Sequence, residues 1–210
     1  MCNLYRMTSN VDAMAQLFAP LATGGLNQPP LPEIFPDYAA PVIVAGDEPG
    51  AARRLQAMRW GWPPFGQVKR PITNIRNLAS PMWRSAVGDP RRRCLVPVTE
   101  FCEWCDRPDP VTGRKKKHWF ALPDHPLFAF AGLWRSTPDG PRFAFLTCEA
   151  NGLVGAVHQK AMPVIVTPGE AADRWLSGAA EDACAMQAAF PDDRMIEVEV
   201  AEPAAQPSLL

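Results

Sequence analysis

The chain has 210 residues, 47% of them hydrophobic and 20% charged, a composition that excludes a disordered chain. No stretch approaches about 18 consecutive apolar residues, which excludes a membrane-spanning helix. Formal net charge is −1, yet residues 51–120 hold 15 of the 21 Lys and Arg and only 5 of the 22 Asp and Glu. That asymmetry predicts either a basic face for a polyanion or two solvated faces that balance each other.

The first six residues contain no apolar h-region, so no signal peptide is expected. The six cysteines are then expected as reduced thiols in a cytoplasmic protein. Proline is the outlier, with 24 residues, about twice the usual ~5%. Proline breaks helix interiors and is pushed to strand edges and turns. Short strands and irregular loops are therefore expected.

In chain order, residues 2–6 read as a strand. Thr8-Ser9-Asn10 offers helix caps before a helix over residues 11–18. Residues 20–41 are rich in Pro and Gly and read as a surface loop. Strands follow at 41–45 and 54–60, and Ser80-Pro81 opens a short helix over 82–87. Aromatic and β-branched runs predict strands at 94–98, 101–104, 118–122, 127–134 and 142–148, with a polar hairpin loop at 107–117. Another strand is expected at 163–166. Thr167-Pro168-Gly169-Glu170 reads as a capping box for a helix ending at Leu176. Over 194–200, Ile196, Val198 and Val200 alternate with Glu197 and Glu199, as in a half-buried strand. The expected fold class is α+β: a single domain over residues 1–200, mainly an antiparallel β-sheet or open barrel with short peripheral helices. Residues 201–210 read as a flexible tail.

Several residues could carry chemistry. Cys102-Glu103-Trp104-Cys105 is a C-x-x-C, but no second pair completes a zinc site, and prolines 108 and 110 replace the helix a redox pair requires. No metal or cofactor is expected. Trp60 and Trp62 lie two apart and share a face if extended; they are either core or a stacking platform for unpaired bases. Glu103 interrupts an aromatic strand, and burial there would raise its pKa and suit it to proton transfer. His158 follows a small-residue turn. Cys2, once Met1 is removed, would present a thiol and an α-amine on one residue. The amine titrates near ~7.7–8.0, against ~10.4 for lysine, so more of it is nucleophilic at neutral pH. Such an aminothiol can form an imine with an aldehyde and close to a thiazolidine, or its thiolate can attack a carbonyl.

The order of motifs resembles the SOS response-associated peptidase (SRAP) family of abasic-site processing proteins. Those motifs are Met1-Cys2, Trp60-Gly61-Trp62, Thr73-Asn74-Ile75-Arg76 and Arg93-Cys94-Leu95-Val96-Pro97 leading to Phe101-Cys102-Glu103-Trp104. They continue with Ala131-Gly132-Leu133-Trp134 and with His158 before Met162-Pro163-Val164-Ile165. The resemblance implies a sensor of abasic sites in single-stranded DNA that forms a covalent thiazolidine crosslink through Cys2. It implies catalytic roles for Cys2, Asn74, Glu103 and His158, and DNA contacts by Arg76, Trp60, Trp62 and Lys160. It also implies self-processing of Met1, lyase or hydrolase character, and nucleoid association on damaged DNA. Asn3-Leu4 stands where many members carry Gly-Arg, and three residues separate His158 from Met162 where many have two. Two alternatives stay open: a cysteine-type autopeptidase using Cys2, Glu103 and His158, and a non-covalent single-strand binder. A monomer is expected.

Overall fold

The computed structural model describes residues 2–199 except Pro49, Phe65 and Val68. Two β-layers share one core. The first is a five-stranded antiparallel sheet built from β1 (Leu4–Met7), β3 (Leu31–Ile34), β8 (Glu100–Trp104), β9 (Lys117–Ala121) and β14 (Ile196–Val198), in the order β14-β9-β8-β1-β3. The second contains β2 (Leu21–Ala22), β4 (Ala39–Val44), β5 (Arg53–Trp60), β7 (Arg93–Val98), β10 (Phe128–Arg135), β11 (Arg142–Cys148) and β12 (Met162–Pro163). Its strands run β12-β11-β10-β7-β4-β5-β2, and a parallel β11–β5 pairing, Phe143 opposite Trp60, closes the middle five into a ring. The expected mainly antiparallel α+β fold is thus present, with its larger sheet curled into a ring by this pairing. Short strands β6 (Asn74–Ile75) and β13 (Ile165–Val166) pair with β11 and β10.

Barrel closure requires tight strand approach. At Gly132 of β10, an added Cβ would stand 2.8 Å from Cys94 Sγ on β7 and 3.3 Å from the Ala144 carbonyl on β11, so a larger residue would push the walls apart. Tyr5 of β1 reaches into the barrel and meets Trp60, Phe130 and Phe145 edge-on, at centroid distances of 5.3, 5.9 and 6.3 Å. Its hydroxyl is buried without a hydrogen-bond partner among the described residues. This ring locks the first sheet onto the barrel.

Among the described residues, five short α-helices lie outside: α1 (Val11–Leu17), α2 (Pro81–Gly88), α3 (Gly152–Gly155), α4 (Glu170–Ser177) and α5 (Ala180–Ala185). Asn10 caps α1 by accepting from the Ala13 amide, and Pro81 opens α2 as expected. The capping box does not form: Gly169 is the cap of α4, at φ 86°, with no side-chain cap bond. The loop expected over 20–41 contains β2 and β3, and α5 was not anticipated. At β14, Val198 packs on Leu4, Cys102 and Trp119, but Ile196 is exposed. The segment 201–210 lies outside the described residues. No helix among the described residues is long and apolar enough to cross a membrane.

Two of the fifteen central cations are structural. Arg93 is fully buried and donates to the carbonyls of Val87, Trp175 and Gly178. Arg53 is tied to Phe18 O and Asp173.

The Tyr5 contact generates a stability prediction. Tyr5→Ala should cost roughly 3–5 kcal/mol, as buried aromatic truncations do. Tyr5→Phe should stay within about 1 kcal/mol of wild type, because it deletes a hydroxyl that has no partner to lose. Urea unfolding of the three proteins measures both, and a large loss in Tyr5→Phe would mean that the hydroxyl is bonded in solution.

Candidate active site at the amino terminus

β1 pairs with β8 through Leu4 opposite Cys102 and Tyr5 opposite Phe101. That register brings residues 2 and 3 to the end of β8, where Trp104 Nε1 donates to Asn3 Oδ1 at 2.9 Å. From the other side, parallel pairing of β6 with β11 presents Asn74, whose Nδ2 donates to the Cys2 carbonyl at 2.9 Å and also reaches Thr73 Oγ1. Asn74 Oδ1 is buried and accepts no hydrogen bond among the described residues. It is a spare acceptor beside Cys2.

Cys2 is fully buried, and its Sγ lies 3.5 Å from Leu4 O. Burial, reinforced by the charge of Glu103, pushes its thiol well above the ordinary range. The sulfur is therefore a protonated thiol at neutral pH in this environment. Glu103 is 1% exposed, and burial raises its carboxyl to about 7. A group poised there can accept and return protons at physiological pH. His158, in the turn after α3, places Nε2 4.0 Å from Glu103 Oε2 and Nδ1 3.1 Å from Asp106 Oδ1. Burial lowers its pKa, and the contact with Asp106 opposes that shift.

Two depressions meet at Asn3. A pocket of about 340 Å³ is lined by Asn3, Glu103, Trp104, Lys115 and His158. A groove of about 910 Å³ runs from Asn3 and Asn74 past Thr73, Arg70 and Arg142 toward several prolines. Among the described residues, no group of three or more His, Cys, Asp or Glu is arranged to hold a metal ion.

Four of the residues singled out in the sequence thus converge: Cys2, Asn74, Glu103 and His158. Lys160 is exposed, and its charge acts on His158 and Asp106. Arg76 is on the surface, 3.6 Å from Glu149. Trp60 and Trp62 require a correction. The backbone is not extended between them, because Gly61 has φ 133°, and both rings turn inward. Trp60 stacks near Phe145 and donates to Thr73 O, while Trp62 packs edge-on against Trp83. Their exposures are 0% and 1%, so neither presents a face to a base. Asp106, Lys115 and the groove arginines Arg70 and Arg142 were not anticipated as site residues; the basic character of residues 51–120 pointed to Lys115 and Arg70, and nothing pointed to Asp106 or Arg142.

These features, a barrel-and-sheet α+β domain with a second-residue cysteine held beside a buried carboxyl and an imidazole, define the class of protein. The chain belongs to the SOS response associated peptidase (SRAP) family, whose sequence profile matches residues 1–204. No curated protein sequence matches it significantly. Solved structures share its fold. A protein from Bacteroides thetaiotaomicron is 20% identical with a TM-score of 0.72, covering 93% of this chain and 90% of its own. A protein from Bordetella bronchiseptica is 23% identical with a TM-score of 0.71, covering 95% and 100%. A phage-related protein from the same organism is 22% identical with a TM-score of 0.74, covering 96% and 95%.

The raised Glu103 carboxyl makes stability depend on pH. The folded state holds the proton more tightly than the unfolded chain, whose glutamate titrates near ~4.3. The stabilisation is therefore complete below about pH 4 and is lost as pH rises through about 7, on the order of 3 kcal/mol in total. Glu103→Gln should abolish this slope, so its stability relative to wild type should rise between pH 4 and pH 8. Denaturant midpoints across that range measure the difference, and parallel curves would mean that Glu103 ionises normally.

Proposed function

We propose that this protein captures abasic sites in single-stranded DNA covalently, through the aminothiol that Cys2 becomes when Met1 is removed. The observation that carries this reading is the convergence on Cys2 itself. Asn74 holds its carbonyl, Glu103 acts on its thiol, and a pocket lined by Glu103 and His158 opens beside the next residue.

The high thiol pKa orders the steps. The released α-amine, closer to neutral at physiological pH, attacks the open-chain sugar aldehyde first, with Asn74 Oδ1 available to accept one of its protons as a hydrogen bond. The Glu103 carboxyl protonates the carbinolamine hydroxyl, which leaves as water and gives a protonated imine. The thiol then adds to the imine carbon, its proton passes to Glu103, and the nitrogen keeps its own proton in the closed thiazolidine. His158 supplies the earlier proton that opens the cyclic hemiacetal at its ring oxygen, while the anomeric hydroxyl gives up its proton to water. Holding amine, thiol and sugar together supplies the proximity advantage.

DNA contacts in this reading come from Arg76 and Lys160, with Arg70 along the groove, where Arg142 is already paired with Asp37. They are attractions to phosphate that do not read sequence. Trp60 and Trp62 have no part in it. Release of Met1, one peptide cleavage in cis by the same Cys2, is the second activity this reading requires, and it accords with the family's name as a peptidase.

An oligonucleotide carrying one abasic site tests the proposal on a denaturing gel. Wild type should give a band that survives denaturation, and Cys2→Ala should give none while still binding under native conditions. Native binding by wild type without a surviving band would favour the non-covalent reading. Arg76→Ala should reduce the salt dependence of binding by about one phosphate contact, roughly 0.7 in the log–log slope for a single strand. An unchanged slope would assign Arg76 to its ion pair with Glu149 alone.

A further inference from the structure

The site contains one carboxylate that the capture chemistry does not use. Asp106 lies three residues beyond Glu103, past the end of β8, and is 46% exposed at its side chain. Its Oδ1 is 3.1 Å from His158 Nδ1, while the opposite ring nitrogen faces buried Glu103 at 4.0 Å. The imidazole is thus strung between an outer and an inner carboxyl group.

The β8–β9 hairpin does not need this contact to keep its shape. Its strands are tied by Cys105 N to Lys116 O and by Asp109 N to Arg114 O. Lys116 N also donates to Cys105 Sγ, and Asp109 caps the turn through the amides of Val111 and Thr112. The Asp106–His158 bond crosses instead to a loop 52 residues away in sequence.

A ring nitrogen that faces an ionised carboxylate carries a proton, and this fixes which tautomer the neutral imidazole adopts. We propose that Asp106 is a positioning residue for His158, holding the proton on Nδ1 and turning Nε2 toward Glu103 and the pocket. What His158 does for the sugar rests on the reading above; how its ring is held does not. The charges around the ring are the amino-terminal ammonium, Asp106 and Glu103 from the β8 end, Lys115 from the hairpin and Lys160 from the loop of His158 itself. Burial, the amino-terminal charge and Lys160 disfavour the imidazolium, and Asp106 opposes them. For Asp106, slight burial pushes the other way, but the bond to His158 and the charges of His158, Lys115 and Lys160 together hold its carboxyl below the usual range. It is therefore ionised at neutral pH.

The test is a ¹⁵N NMR titration of the histidine rings in wild type, Asp106→Asn and Asp106→Glu, with no DNA present. Alongside it, crosslinking rates are compared for abasic single-stranded DNA and a small aldehyde. Neutral His158 in wild type should carry its proton on Nδ1. In Asp106→Asn its midpoint should fall, and capture of the abasic strand at pH 7 should slow by about three- to tenfold, the scale of up to one pKa unit. The small aldehyde, which has no ring to open, should react at an unchanged rate, and Asp106→Glu should restore much of both signals. An unchanged midpoint and tautomer for His158 in folded Asp106→Asn overturns the assignment. So does a loss that falls equally on both substrates and that glutamate does not repair. If wild type forms no crosslink at all, the capture reading fails, while the titration still decides the role of Asp106.

Discussion

The pairing of β1 with β8 is the constraint on which the rest of the molecule depends. A strand of four residues, close to the start of the chain, is fixed at two levels. Its backbone is hydrogen-bonded to β8 on one side and β3 on the other, and Tyr5 is inserted into the barrel between Trp60, Phe130 and Phe145. Chain termini usually fray. This one is anchored because β1 is flanked by a strand on each side and Tyr5 packs against three barrel rings. The result is a second residue whose carbonyl meets Asn74 and whose thiol feels Glu103. In strand pairing, a slip of one residue turns every side chain to the other face. The register of β1 therefore decides whether the site exists.

Burying a carboxyl group costs stability whenever it must ionise. The pair Glu103 forms with His158, itself backed by Asp106, fits the proton transfers proposed beside Cys2. The same burial that makes Glu103 a usable base makes the Cys2 thiol a weak initial nucleophile. The proposed order, amine before sulfur, follows from that single environment.

The sheet was legible in the sequence where aromatic and β-branched residues run together, which is why β7, β8, β10 and β11 fall close to where the pattern places them. Strands β2 and β3 were not, because Leu21–Ala22 and Leu31–Ile34 are too short and too proline-rich to carry a period, and they exist only through pairing with distant strands. Trp60 and Trp62 mislead for a local reason: their shared face presumes extended backbone at Gly61, and glycine there adopts a positive φ. The central basic segment overstated the exposed charge, since nothing local distinguishes an arginine such as Arg93, which binds carbonyls in the interior, from one on the surface. In the site, Cys2, Glu103 and His158 stood out as residues by their own chemistry, and Asn74 only through the order of family motifs. Asp106 carried no such mark, because its importance lies in a tertiary contact.

The central claim is that the α-amine and thiol of Cys2 are the reacting pair. Intact mass spectrometry of the protein after incubation with an abasic oligonucleotide, followed by peptide mapping, tests it most directly. The account predicts a species that lacks Met1, whose mass equals protein plus oligonucleotide less one water, with the attachment at Cys2. A crosslinked species that retains Met1, or one attached at Cys102 or Cys105, would contradict it.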